Sequence, residues 1–74
     1  MTILLFGVLA EVTGKSKFEM NAFDTDSLRA DLLKQFPLLN HHQFQVVVNK
    51  EKISKNILLG EKDEVAFLPP FAGG

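Results

Sequence analysis

The last six residues, Pro69-Pro70-Phe71-Ala72-Gly73-Gly74, carry the group in this chain best suited to chemistry, a carboxylate on a glycine with no side chain beside it. A proline pair favours the extended polyproline conformation and would project the last four residues away from the body of the protein. Ala72, Gly73 and Gly74 have little or no side chain, so their backbone can thread a narrow channel and come close to a nucleotide or substrate. The Gly74 carboxylate is inert as it stands. Once activated, it becomes an acyl electrophile. At ordinary glycine usage of about 7%, a closing Gly-Gly arises by chance in roughly one chain in 200. The pair therefore gains its weight from the proline-stiffened exit before it and the pattern of the residues behind it. Residues 69–74 are expected to form a flexible working tail with Gly74 as its reactive residue.

Other chemistry is poorly supplied. The chain has no cysteine, which excludes disulfides, thiolate metal sites and a cysteine nucleophile. His41 and His42 are adjacent, which on a strand sends them to opposite faces, and no further ligand cluster accompanies them, so no metal site is expected. Asp24 with Asp26, and Asp63 with Glu64, read better as a helix start and a turn than as paired acids. No Ser/His/Asp arrangement or phosphate loop is legible. Catalysis by this chain alone is not expected, and no bound cofactor is called for.

Eight basic and nine acidic side chains give a net charge of −1. Without a field of one sign, binding to a phosphate backbone has no electrostatic drive, so nucleic acid is not expected as a partner. A hydrophobic fraction of 46% is too high for a disordered chain. The apolar opening from Ile3 to Ala10 lacks a basic flank and a cleavage site. No apolar run approaches the ~18 residues of a membrane span. The expectation is a soluble, cytoplasmic protein with no membrane partner. At 74 residues there is room for one domain with a thin core.

The elements that must hold the tail are set by local pattern. Thr2 to Val8 is a short apolar run that reads as a strand. Leu9 to Thr13 makes about one helical turn, closed by Gly14. From Lys17 to Phe23, polar residues alternate with Phe18, Met20 and Ala22, the period of a half-buried strand, so the first two strands are expected to form a hairpin. Thr25 is the expected N-cap of the main helix, with Asp26 in its first turn and Leu28, Leu32 and Phe36 along one stripe. Leu33 widens that stripe, while Arg29, Asp31 and Lys34 face water. Pro37 ends the helix. Gln43 to Asn49 is a β-branched strand, Asn49 to Lys52 a polar turn, and Ile53 with Ile57 to Leu59 a weaker strand or turn. Gly60 to Lys62 turns the chain into a last strand, Asp63 to Leu68, which Pro69 ends for want of an N–H. The order β-β-α-β-β-β, with the first strand free to pair with the last and one helix across them, describes an α+β, ubiquitin-like β-grasp over residues 1–68. A ferredoxin-like fold needs a second helix, and the stretch after Val48 is too short and polar for one.

The pattern also holds more apolar surface than one core explains. Ile3 and Leu5 share a face of the first strand, and Leu4 and Phe6 share the other. The last strand repeats this with Val65 and Phe67 against Ala66 and Leu68. One helix covers only one face of a small sheet, so Leu4, Phe6 and Leu68 are expected to form an open patch. Loops over the second face would remove it. Two apolar strands leading to the same tail favour a docking surface for a partner protein.

The run Asp63-Glu64-Val65-Ala66-Phe67-Leu68-Pro69-Pro70-Phe71-Ala72-Gly73-Gly74 resembles the terminal signature of the molybdopterin synthase small-subunit family, ubiquitin-like sulfur carriers. The resemblance covers essentially the whole chain. Ile3-Leu4-Leu5-Phe6-Gly7 and Val48-Asn49 stand where that family has its first strand and central hairpin. It implies that an ATP-dependent, ubiquitin-activating-like adenylyltransferase adenylates the Gly74 carboxylate, and that a sulfur donor then converts it to a thiocarboxylate. It also implies that Pro69, Pro70, Phe71, Ala72 and Gly73 thread a channel in the large synthase subunit, where the sulfur passes to cyclic pyranopterin monophosphate. In that family two small subunits flank a large-subunit dimer in a heterotetramer, and the groups that handle the pterin belong to the partner. Two departures stand out. Phe71 replaces a smaller aliphatic residue, and the segment from Leu38 to Gln43 is short. Sulfur delivery to the thiazole of thiamine or to tRNA, protein modification through isopeptide bonds, and a plain binding module are the other readings. The Pro69-Pro70 pair argues against the thiazole carriers.

Overall fold

Alternating burial along the first and last strands sets the architecture. In the computed structural model, β1 (Thr2–Leu5) and β5 (Glu64–Leu68) lie side by side and parallel, Thr2 opposite Glu64 and Leu5 opposite Phe67. Ile3, Leu5, Val65 and Phe67 fall on one face, and none is more than 2% exposed. The structure describes residues 1–70. Positions 71–74 lie outside the described residues, and with them the expectations for Phe71, Ala72, Gly73 and Gly74.

The other strands extend the sheet on both sides. β2 (Lys17–Glu19) is antiparallel to β1, β3 (Gln45–Val48) is antiparallel to β5, and β4 (Glu51–Lys52) closes the far edge, in the order β2-β1-β5-β3-β4. The main helix α2 (Thr25–Gln35) buries Leu28 and Leu32 against Ile3, Leu5, Val65 and Phe67. Leu9 of a short helix α1 (Val8–Thr13) and Leu39 of a 3₁₀ helix (Pro37–His41) complete the same core, both 0% exposed. All the helices thus serve one face of a mixed sheet. This is the expected α+β, ubiquitin-like β-grasp.

Several element bounds differ from expectation for identifiable reasons. The first strand ends at Leu5, not Val8, because Gly7 at φ 58° turns the chain into α1. Gly14 closes α1 as expected, left-handed at φ 74°, its N–H bonded to the Ala10 carbonyl at 2.8 Å. The second strand stops at Glu19 rather than Phe23, since after the bond from the Met20 N–H to the Met1 carbonyl β1 offers nothing further to pair with. Asp24, not Thr25, is the N-cap: its carboxylate accepts the Ser27 N–H at 2.9 Å, and Thr25 is the first helical residue. Helix α2 ends at Gln35, and Phe36, its N–H bonded to the Leu32 carbonyl, forms the C-cap before Pro37. The expected four-residue turn from Asn49 to Lys52 is only two residues long, Asn49 and Lys50, and Glu51–Lys52 pairs with β3 as a strand. Ile53 and Ile57 to Leu59 form no strand beyond one bridge between Asp24 and Leu58.

Candidate functional site

The face of the sheet opposite the helices is assembled by register. Leu4 lies across from Ala66, Ala66 from Val47, and Val47 from Lys52, while Leu4 also faces Lys17 on the other side. Three apolar side chains on three adjacent strands therefore form a row with an exposed lysine at each end. The next row towards the start of β5 is polar: Glu19, Thr2 and Glu64, with the Thr2 hydroxyl donating to Glu19 Oε2 at 3.0 Å. The row towards its end holds Leu68, opposite Gln45, and Phe6 extends β1 there. Phe6 is 45% exposed, and Leu4 and Leu68 are half-buried. The face thus grades from polar to apolar in the direction in which β5 leads out to Pro69. The three residues singled out for the patch, Leu4, Phe6 and Leu68, come together there with Ala66, which alternation along the last strand already puts on the same face, and with Val47, which alternation along the first and last strands does not reach. Val47 could have been found from its parity with Ala66, but only with the pairing of β3 to β5 in hand.

The exit of the tail is built at the same end. The Phe6 N–H donates to the Phe67 carbonyl at 3.2 Å, the last bond between the two strands in that direction. Pro69 has no N–H to continue the ladder. Its ring rests against Gly7, where a Cβ would stand 3.1 Å from Pro69 Cγ and 3.6 Å from Cδ. Pro69 is half-buried and Pro70 exposed. Nothing in the residue types alone links Gly7 with Pro69.

The start of β5 is fixed by Asn49. Its Nδ2 donates to Asp63 Oδ1 at 2.9 Å, its Oδ1 accepts the Glu64 N–H at 2.9 Å, and Asp63 Oδ2 accepts the Gly60 N–H at 2.7 Å. The Asn49 amide, followed by the Gly60 N–H, holds the Asp63 carboxyl below its ordinary range. Asp24 is lowered in the same way by the Asn56 amide and then by Ser27. Both carboxylates hold loops in place, as the reading of a helix start and a turn implies. His41 ends the 3₁₀ helix and His42 caps it, and among the described residues no three His, Asp or Glu side chains converge as a metal site would require. Arg29 is exposed, as expected, but its guanidinium also sits 5.1 Å from the centre of the Phe44 ring.

Comparison with known proteins places this geometry among relatives. The model of the ThiS family matches residues 3–74. Over 80 aligned positions the chain is 32% identical to the molybdopterin synthase sulfur carrier subunit of Mycobacterium tuberculosis, with 100% of this chain and 96% of that protein covered. Among solved structures, small archaeal modifier protein 1 from Methanosarcina acetivorans superposes with a TM-score of 0.86 at 20% identity, covering 99% of this chain and 94% of that one. The homologous modifier from Haloferax volcanii gives 0.77 at 23%, with 99% and 97% covered. These two likenesses concern the fold. A complex of subunits 1 and 2 of molybdopterin-converting factor from Helicobacter pylori gives 0.74 at 26% identity, covering 99% of this chain and 96% of that one.

Proposed function

The chain belongs to the ThiS family, as a ubiquitin-like homologue of the molybdopterin synthase small subunit, and we propose that it serves as the sulfur carrier of such a synthase. The observation that carries this reading is the end-to-end match to the mycobacterial subunit of that name. In the proposal residues 1–68 are the handle and residues 69–74 the working tail. An ATP-dependent, ubiquitin-activating-like adenylyltransferase joins the Gly74 carboxylate to AMP with release of pyrophosphate. A sulfur donor then displaces AMP and leaves a thiocarboxylate. The handle docks through Leu4, Phe6 and Leu68 on the open face, and Pro69 to Gly73 thread the large synthase subunit. There the terminal sulfur is donated to cyclic pyranopterin monophosphate, in a heterotetramer of two carriers on a large-subunit dimer.

Two features support the division of labour. The apolar end of the open face lies where β5 leads out to Pro69, so one partner can grip the face and receive the tail together. The Helicobacter pylori relative is a complex of two subunits, which supports a large-subunit partner here. In the proposal the catalytic groups belong to the partner enzymes, and ATP is consumed by the activating enzyme.

Mass spectrometry tests the reading. The chain is incubated with ATP, the adenylyltransferase and a sulfur donor, and the expected result is the mass gain of one oxygen replaced by sulfur, confined to the C-terminal peptide. Addition of the large subunit and cyclic pyranopterin monophosphate should return the mass to its starting value. No mass gain, or a gain that persists beside the large subunit while thiazole or tRNA acceptors discharge it, would remove the molybdopterin assignment.

A further inference from the structure

We propose that the groove between α2 and the outer edge of β3 receives an acidic, extended segment of a partner protein, which joins the sheet there as a further strand. The site does not depend on the sulfur chemistry of the tail.

β3 is covered along its whole length by β5 on one side, but only in part on the other. β4 pairs with Val47 and Val48, and the Ile53 N–H adds one bond to the Val46 carbonyl at 3.1 Å. The chain then turns away. The return bond, from the Val46 N–H to the Ile53 carbonyl, is absent, and neither the N–H nor the carbonyl of Phe44 has a hydrogen-bond partner among the described residues. The gap is held open. Asn56 ties the departing loop to Asp24, Thr25 and Asp26 at the start of α2, and the Ile57 N–H is bonded to the Thr25 hydroxyl. The loop cannot swing back to finish the ladder without giving up those bonds. An unfinished edge of this kind is a template for another strand. An incoming carbonyl would meet the Val46 N–H, and an incoming N–H the Phe44 carbonyl.

The gap opens into a groove of about 350 Å³, near the lower end of the range of about 300–1,000 Å³ for binding sites. Phe44, Val46 and Ile53, all half-buried, give it apolar surface. Three cations line it, Arg29, Lys52 and Lys55, against one acid, Asp26. In a chain of net charge −1, three against one is a local excess of two positive charges. None of the three cations forms an ion pair among the described residues. Arg29 is steadied on the Phe44 ring, 5.1 Å from its centre, beside the open edge. Charge and edge together select the occupant. A free anion would leave the backbone groups unused. A second copy of this chain would bring its own lysines against these, and like charges facing across paired strands destabilise them. An acidic strand satisfies both. Val46 lies opposite the buried Phe67, on the helix side of the sheet, away from Leu4, Phe6 and Leu68. Lys52 stands at the margin of both surfaces. A partner held in the groove therefore leaves the open face and the exit at Pro69 accessible.

The test uses the full chain and a blocked pentapeptide of alternating glutamate and valine that carries three glutamates. In NMR titrations at low salt the Val46 and Phe44 amides should shift, and at saturation exchange with deuterium about tenfold more slowly, while the Leu4 and Leu68 amides stay in place. A peptide with lysines for the glutamates, and one N-methylated along its backbone, should each bind at least about tenfold more weakly. Arg29→Gln combined with Lys55→Glu, both at exposed positions, should weaken the acidic peptide by about tenfold or more with Tm little changed. No saturable binding at millimolar peptide would overturn the proposal, as would a lysine peptide or an N-methylated peptide that binds as well as the parent. If inorganic phosphate at matched ionic strength displaces the peptide, and N-methylation costs nothing, the groove is a site for small anions and the added strand is excluded. Shifts centred on Leu4 and Leu68 would place the peptide on the open face and overturn it equally.

Discussion

Asn56 does at the start of α2 what a single capping side chain cannot. Its Oδ1 accepts both the Thr25 hydroxyl at 2.9 Å and the Asp26 N–H at 2.8 Å, and its Nδ2 donates to Asp24 Oδ2 at 3.0 Å. Thr25 is 5% exposed, and its hydroxyl in turn accepts the Ile57 N–H at 3.1 Å. Asn56→Ala strands the Thr25 donor and frees the loop, so we expect a loss of about 1–3 kcal/mol, read as a fall in Tm by thermal melting. This network explains why local pattern places the cap one residue too far along. Thr and Asp are both good caps, and the choice between them is made by an asparagine distant in the chain. The acids give a pH prediction. Asp24 and Asp63 both lie below the ordinary 3.8, held chiefly by Asn56 and Asn49 respectively. A carboxyl whose folded pKa is depressed adds stability that is complete above its unfolded pKa and is lost as pH falls through the folded one. Denaturant midpoints should therefore hold steady down to about pH 4 and drop below it. Asp63→Asn should start lower and drop less, and a midpoint that falls just as steeply in that variant would contradict the assignment.

Among elements, the β3–β4 connection is the sharpest. Asn49 and Lys50 both have positive φ, 50° and 70°, the mirror-image hairpin turn in which asparagine followed by glycine is preferred. A lysine in that second position carries strain of about 1 kcal/mol that a glycine would not. Lys50→Gly should raise stability by up to about that amount, and Asn49→Ala should lower it by more, because Asp63 and Glu64 then lose their partner. Chemical denaturation of both variants checks the opposite signs. The same hairpin shows where residue pattern is hard to read. A polar run from Asn49 to Lys52 looks like a turn throughout, and only strand pairing draws Glu51 and Lys52 into the sheet. The 3₁₀ helix escapes a pattern reading because Pro37 looks like an end and so short a helix has no sustained period to detect. The long-period features are legible: Leu28 and Leu32 on one stripe, Gly14 as a stop, and β-branched residues in β3. The open face is legible too, since Leu4, Phe6 and Leu68 come from alternation alone. The contact between Gly7 and Pro69 is not, because it joins residues from opposite ends of the chain through shape rather than residue type.

At the scale of the molecule, a thin core and an apolar outer face should answer mutation differently. Leu32→Ala removes a fully buried side chain and should cost about 2–5 kcal/mol, a large share of the ~5–15 kcal/mol that holds a domain together. Phe6→Ser, at a side chain 45% exposed, should leave Tm nearly unchanged while weakening binding to the large subunit. Calorimetry beside a binding isotherm separates the two, and a large drop in Tm for Phe6→Ser would mean that this ring belongs to the core. The parallel pairing of β1 with β5 has a mechanical consequence. Four residue pairs, from Thr2 with Glu64 to Leu5 with Phe67, link the two strands in the same direction. A force that drags the end of β5 away from the beginning of β1 loads those links together, in shear, instead of unzipping them one after another. An enzyme hauling on the last residues would therefore find the sheet stiff along the line of the pull.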